Sequence, residues 1–189
     1  MEEIKTFLIT GFGRSGTKFL SEVMNKSKKW TVEHEPRGDE DISRIQPTPS
    51  LMRDFNQQYY GEVNSYLRYE VETIPVDKIG IIVRNPKDII LSCANRNTLE
   101  RTLELVDELY YYYNYVQDIM KTGNINIYIF EDLISDKDYL KELLNDFNID
   151  DVDLDEIDLN IKVNANKTIK YNTFKELPKD IKDKTKIYE

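Results

Sequence analysis

The chain has 189 residues, 40% hydrophobic and 32% charged, with a formal net charge of −9, as expected of a single globular domain able to bury a full core. Such an acidic balance excludes a broad nucleic-acid or anionic-membrane surface. One cysteine, Cys93, and one histidine, His34, exclude an internal disulfide and a Cys- or His-cluster metal site, so no metal is expected.

In chain order, Phe7-Leu8-Ile9 reads as a buried strand that runs into Thr10-Gly11-Phe12-Gly13-Arg14-Ser15-Gly16-Thr17-Lys18. Phe19, Leu20, Val23 and Met24 then form one helical stripe. Strand, glycine-rich turn and helix start make an arrangement that binds phosphate, because glycine lets the backbone come close and helix N-terminal N–H groups point at the anion. Gly11-x4-Gly16 fits a phosphate loop, yet Thr17-Lys18 reverses the Lys-Ser/Thr order of nucleotide hydrolases. The bland alternative is a tight packing turn. Arg14 and Lys18 argue against it, since cations at a helix N-terminus oppose the macrodipole unless an anion offsets them.

Trp30–Glu35 reads as a second strand stopped by Pro36, followed by a charged, proline-rich loop over 36–50. Ser50 is the expected N-cap of a helix to about Tyr69, with Leu51, Phe55, Tyr59, Val63 and Leu67 at i+4 spacing and Gly61 as a kink. Ile79–Val83 is a strand ending at Arg84-Asn85-Pro86, and Pro86 opens a helix to about Asn95. Thr98 caps a longer helix that Gly123 stops. Ile125–Phe130 is a further strand, and Ser135 caps a helix carrying Leu140, Leu143, Leu144 and Phe147. The Lys- and Asn-rich tail from Lys162 is expected to be ordered only in part. No apolar run approaches a membrane span and Met1-Glu2-Glu3 is not a basic leader, so a cytoplasmic protein without membrane contact is expected.

Alternating strands and helices imply an α/β fold, a three-layer parallel sheet with helices on both faces. In such sheets ligands bind beyond the carboxyl ends of the strands. That rule gathers the glycine loop, His34/Glu35, Arg84 and Glu131/Asp132. Ser92 stands eight residues after Arg84, about 9 Å into the helix that Pro86 opens, and a flexible arginine can meet it around one phosphate. A surface arginine with a buried helical serine is the plain alternative.

Together the two basic islands resemble the sulfotransferases that use 3′-phosphoadenosine 5′-phosphosulfate (PAPS). Arg14-Ser15-Gly16-Thr17 is similar to the family's loop for the 5′-phosphosulfate. Arg84 and Ser92 match its arginine and serine for the 3′-phosphate, with the same spacing. Phe19 falls where the family often has an aromatic residue near adenine, and Phe130-Glu131-Asp132-Leu133 resembles the run after its last core strand. The resemblance covers roughly residues 4–35 and 76–147. It implies a P-loop kinase-like fold in a single domain; the stretch at 36–75, which no family motif matches, is expected to be a substrate-side helical excursion. It also implies transfer of a sulfuryl group to a hydroxyl or amine of a small-molecule or carbohydrate acceptor, without metal. Arg14, Ser15, Gly16, Thr17, Lys18, Phe19, Arg84 and Ser92 would hold PAPS. Arg14 would also offset charge on the leaving phosphate, and Glu35 is favoured over His34 as the base. The basic C-terminal segment that many members fold over the 3′-phosphate is not recognisable, although Lys167 or Lys170 could substitute. Two rival readings are a P-loop kinase or nucleotide hydrolase, and a non-catalytic nucleotide-binding module.

Overall fold

A computed structural model describes residues 5–36, 59–159 and 169–188. Among them, five strands form one parallel sheet in the order β2-β3-β1-β4-β5. They are β1 (Thr6–Gly11), β2 (Thr31–His34), β3 (Tyr60–Val63), β4 (Lys78–Val83) and β5 (Asn126–Ile129). The expected α/β class and parallel sheet are met. The described residues fall into two compact units, drawn from Met1–Val83 with Ile125–Val163, and from Arg84–Asn124 with Asn164–Glu189.

The first unit holds the sheet with α1 (Thr17–Met24), α4 (Phe130–Leu133) and α5 (Lys137–Asp146). β1 is its central strand, and Phe7, Leu8, Ile9 and Thr10 are wholly buried, which explains a continuous apolar run rather than an alternating one. Phe7 and Ile9 face the main core with Phe19, Leu20 and Met24 of α1 and Leu140, Leu143 and Leu144 of α5. Leu8 packs on the other face against Leu67 and Ile74. The Phe7 ring sits 4.9 Å from Trp30 and 5.0 Å from Phe147, centroid to centroid.

The helix expected up to Tyr69 is corrected here; its part over 51–58 and the loop over 37–50 lie outside the described residues. Residues 60–63 are β3, inserted between β1 and β2, with Phe7 opposite Gly61 and Glu33 opposite Glu62. A Cβ at Gly61 would lie 2.0 Å from the Phe7 ring, so this glycine makes room for an aromatic neighbour and is no helix kink. Among the described residues of that stretch, Ser65–Leu67 alone takes a helical turn, a 3₁₀ one capped by Asn64. The start of α5 is also corrected by one residue. Asp136, not Ser135, accepts from the N–H groups of Asp138 and Tyr139.

The second unit contains α2 (Pro86–Ala94), α3 (Leu99–Thr122) and α6 (Lys179–Lys184). Thr98 caps α3 and Gly123 ends it in the left-handed conformation, as its sequence implies. The tail residues 169–188 are built into this unit, and α6 packs on α3 with Leu177 and Ile181 buried. Asn95 fastens the start of the segment. Its Oδ1 accepts from the N–H groups of Lys170 and Tyr171 at 2.7 and 2.8 Å, and its Nδ2 donates to the Tyr171 carbonyl at 2.9 Å. Lys167 lies outside the described residues. No helix among those described is long and apolar enough to cross a membrane.

Candidate functional site

The glycine loop after β1 is a tight turn closed by the Ser15 N–H on the Phe12 carbonyl at 3.0 Å. Arg14 and Gly16 both have positive φ, 75° and 101°, a conformation that costs a side-chain-bearing residue roughly 1–2 kcal/mol. A Cβ at Gly16 would stand 2.1 Å from the Phe130 ring, and one at Gly11 2.4 Å from Ser15 Oγ. A Cβ at Gly13 would meet nothing within 4 Å, so only the two outer glycines are sterically required. Ser15 is wholly buried, and its hydroxyl has no hydrogen-bond partner among the described residues.

Gly16 caps α1 without a side-chain hydrogen bond, and the first turn of α1 holds no acid. α2, α3 and α5 are instead capped by Asn85, Thr98 and Asp136. The first N–H groups of a helix have no intrahelical acceptor, so the start of α1, with neither a side-chain cap from its N-cap residue nor an acid in its first turn, turns a positive dipole end toward an anion. Lys18 stands in that turn, 3.9 Å from Glu22. A helix start without a side-chain cap or an acid, with Arg14 and Lys18 beside it, fits an anion.

Thr17 joins this loop to the end of β2, its Oγ1 lying 3.2 Å from His34 Nε2. His34 Nε2 is 3.8 Å from Glu35 Oε1. Burial holds the His34 pKa below its ordinary 6.5, and the Lys18 ammonium lowers it further against the opposing pull of Glu35 and Glu22. The imidazole is therefore neutral near pH 7 and able to accept a proton. Glu35 has a positive φ of 46°, and its Oε1 accepts hydrogen bonds from the Ser65 hydroxyl and, at 3.4 Å, the Ser65 N–H. Both candidate bases thus stand beside the loop in one unit.

Sequence reasoning missed the end of β3. Thr10 Oγ1 donates to the Asn64 carbonyl at 2.7 Å, and the Asn64 N–H donates to Ile9 at 2.9 Å. Ser65 then meets Glu35, and Arg68 donates to the Ser65 carbonyl at 3.0 Å with its guanidinium 5.1 Å from the Phe12 ring. The available signal was Tyr60-Gly61-Glu62-Val63 ending in Asn64-Ser65, a short run with a polar stop, but the i+4 apolar spacing concealed it. Phe19 is buried at 6% exposure in the main core, edge-on to Phe130 at 6.0 Å.

In the second unit Arg84 leads directly into the capped start of α2, where Asn85 Oδ1 accepts from the Lys87 N–H at 2.9 Å. Ser92 is half-buried on α2, and Arg96 one turn on is exposed. The Tyr113 hydroxyl engages the Arg84 backbone at both its N–H and its carbonyl.

Among solved structures the fold is similar to a sulfotransferase from Alicyclobacillus acidocaldarius, with TM-score 0.55 and 16% identity over 97% of this chain and 90% of that one. The fold is sulfotransferase-like. A second similar structure is mouse sulfotransferase SULT7A1 complexed with 3′-phosphoadenosine 5′-phosphate (PAP), with TM-score 0.53 and 24% identity over 79% of this chain and 60% of that one. No protein-family model matches the sequence, and no curated protein matches it. In this sulfotransferase-like fold the glycine loop follows the central strand and the Arg84 joint follows its neighbour β4.

Proposed function

We propose that the chain is a sulfotransferase that moves a sulfuryl group from PAPS to a hydroxyl or amine of a small-molecule or carbohydrate acceptor. The observation that carries this reading is the start of α1, which has no side-chain cap and no acid, is flanked by Arg14 and Lys18, and is joined through Thr17 to His34 and Glu35. PAPS supplies the sulfuryl group and leaves as PAP. Arg14, Lys18 and the N–H groups of residues 16–18 hold the sulfonate and offset charge growing on the departing phosphate, as in phosphoryl transfer. Ser15 and Phe19, both buried, shape the loop from within. Arg84 and Ser92 bind the 3′-phosphate.

Glu35 takes the proton that the acceptor loses. Its Oε1 is anchored by Ser65, so the carboxylate is oriented before the acceptor arrives, and its second oxygen remains to receive the proton. Neutral His34 holds the Thr17 hydroxyl and is the second candidate base.

A thermal-shift titration tests the reading. At one hundred times its dissociation constant, PAP should add about 2.7 kcal/mol to the fold without metal and raise the melting point by several degrees. Arg84→Ala should weaken PAP by roughly ten- to a hundredfold, the loss of a charge-assisted bond, while AMP, which lacks the 3′-phosphate, binds unchanged. A shift with ATP and magnesium but none with PAP would replace this reading with a P-loop kinase or hydrolase. PAP binding without turnover on any acceptor would leave a nucleotide-binding module.

A further inference from the structure

We infer that Tyr113 is a positioning residue for Arg84 and that the C-terminal turn holds it in place; the inference rests on the reading of Arg84 as a 3′-phosphate ligand. The Arg84 N–H donates to Tyr113 Oη at 3.2 Å, and the same hydroxyl donates to the Arg84 carbonyl. One hydroxyl therefore occupies both backbone polar groups of one residue. The direction of a side chain follows from the φ and ψ of its own residue, which rotate the Cα–Cβ bond. Fixing both peptide groups of Arg84 fixes the root of its guanidinium arm, and a preorganised arm loses less freedom when it grips a phosphate.

Tyr113 is itself held. Its ring lies edge-on to Tyr112 at 6.0 Å and to Tyr188 at 6.4 Å. Tyr112 is wholly buried. Tyr188 is pinned by its hydroxyl on the Val106 carbonyl at 2.7 Å, and its ring also meets Tyr110 at 6.2 Å. The tail thereby reaches Arg84 through one tyrosine, all within the second unit. The tyrosine run of α3 divides accordingly. Tyr112 fills the core, Tyr111 is 68% exposed, and Tyr113 uses its hydroxyl on the β4–α2 joint.

The test compares PAP with AMP, which differs from it only by the 3′-phosphate, by calorimetric titration of the full chain. Tyr113→Phe removes the hydroxyl and keeps the ring. PAP affinity should fall about three- to tenfold, the value of one or two neutral hydrogen bonds, with AMP affinity within about twofold of wild type. Tyr188→Leu should repeat the pattern at smaller size, because it loosens the ring rather than removing the contact. A packing role would lower both affinities together, so an equal loss or an unchanged PAP/AMP ratio in Tyr113→Phe overturns the inference. If the wild-type chain itself fails to prefer PAP over AMP, the 3′-phosphate reading falls first and takes the inference with it.

Discussion

Where β1 runs into α1, the helix starts on a left-handed glycine with no side-chain cap and no acid in its first turn. Where β4 runs into α2, Asn85 caps the helix, Pro86 occupies its first position and Asp88 lies in the first turn. Two strand-to-helix joints in one chain thus treat the same orphan N–H groups in opposite ways. The first gives them neither a side-chain cap nor an acid. The second satisfies them internally, so an anion there must be held by side chains such as Arg84 and Ser92. Backbone donors cannot be mutated away, whereas a side-chain grip can. Under the proposed function the first joint would serve the transfer and the second the recognition of the nucleotide.

Four substitutions break or sharpen that contrast. The largest effect is expected beside the first joint. Glu35→Gln should lower turnover by about 10²–10⁴ with PAP binding unchanged, because a base acts only in the transition state. His34→Asn should lose less. Steady-state rates with labelled PAPS and an acceptor found by screening sugars, phenols and amines would measure both. A fully active Glu35→Gln beside a dead His34→Asn would reverse their roles.

Gly16→Ala comes next. It forces a side chain into left-handed backbone and drives a methyl against the Phe130 ring. Strain of about 1–2 kcal/mol and overpacking of about 1–3 kcal/mol should lower the melting point by roughly 5–15 °C. PAP binding should weaken with it. A melting point within a degree of wild type would mean that the loop geometry is not set by this glycine.

The smallest effect belongs to the second joint. Asn85→Ala removes a cap worth about 1 kcal/mol, a loss of roughly 2–4 °C. If the second joint needs its cap to hold α2 and not to bind anion, PAP should still stabilise this variant as much as wild type.

Both joints were legible in the sequence because their signals are local. Gly11, Gly16 and Lys18 mark the first, and Arg84-Asn85-Pro86 marks the second, each within a few residues of its strand. Thr98 and Gly123 bounded α3 for the same reason. β3 was not legible, since what makes it a strand is pairing on both edges with β1 and β2. A wholly buried Glu62, tied to Tyr60 and Asn64 at 3.3 Å, gives no apolar period to read. Ser65 followed β3 into obscurity, although it holds the favoured base. The Tyr113 hydroxyl was equally hidden, because its partner is 29 positions away. The tail likewise draws its order from Asn95, 75 residues upstream of Lys170, which composition alone cannot reveal.

The Phe7 ring over Gly61 carries a consequence for how this sequence can drift. With 2.0 Å between that ring and a Cβ at position 61, neither residue can change its volume alone. Gly61→Ala is tolerable only after Phe7 shrinks, and a smaller residue at position 7 leaves a cavity beside Trp30 and Phe147 unless position 61 grows. Effects of the two substitutions should therefore be strongly non-additive, as for residues in contact. Neutral change at this pair has to pass through a destabilised intermediate. The pairing of β1 with β3 is in this way shielded from gradual replacement by a pair of residues in its own register.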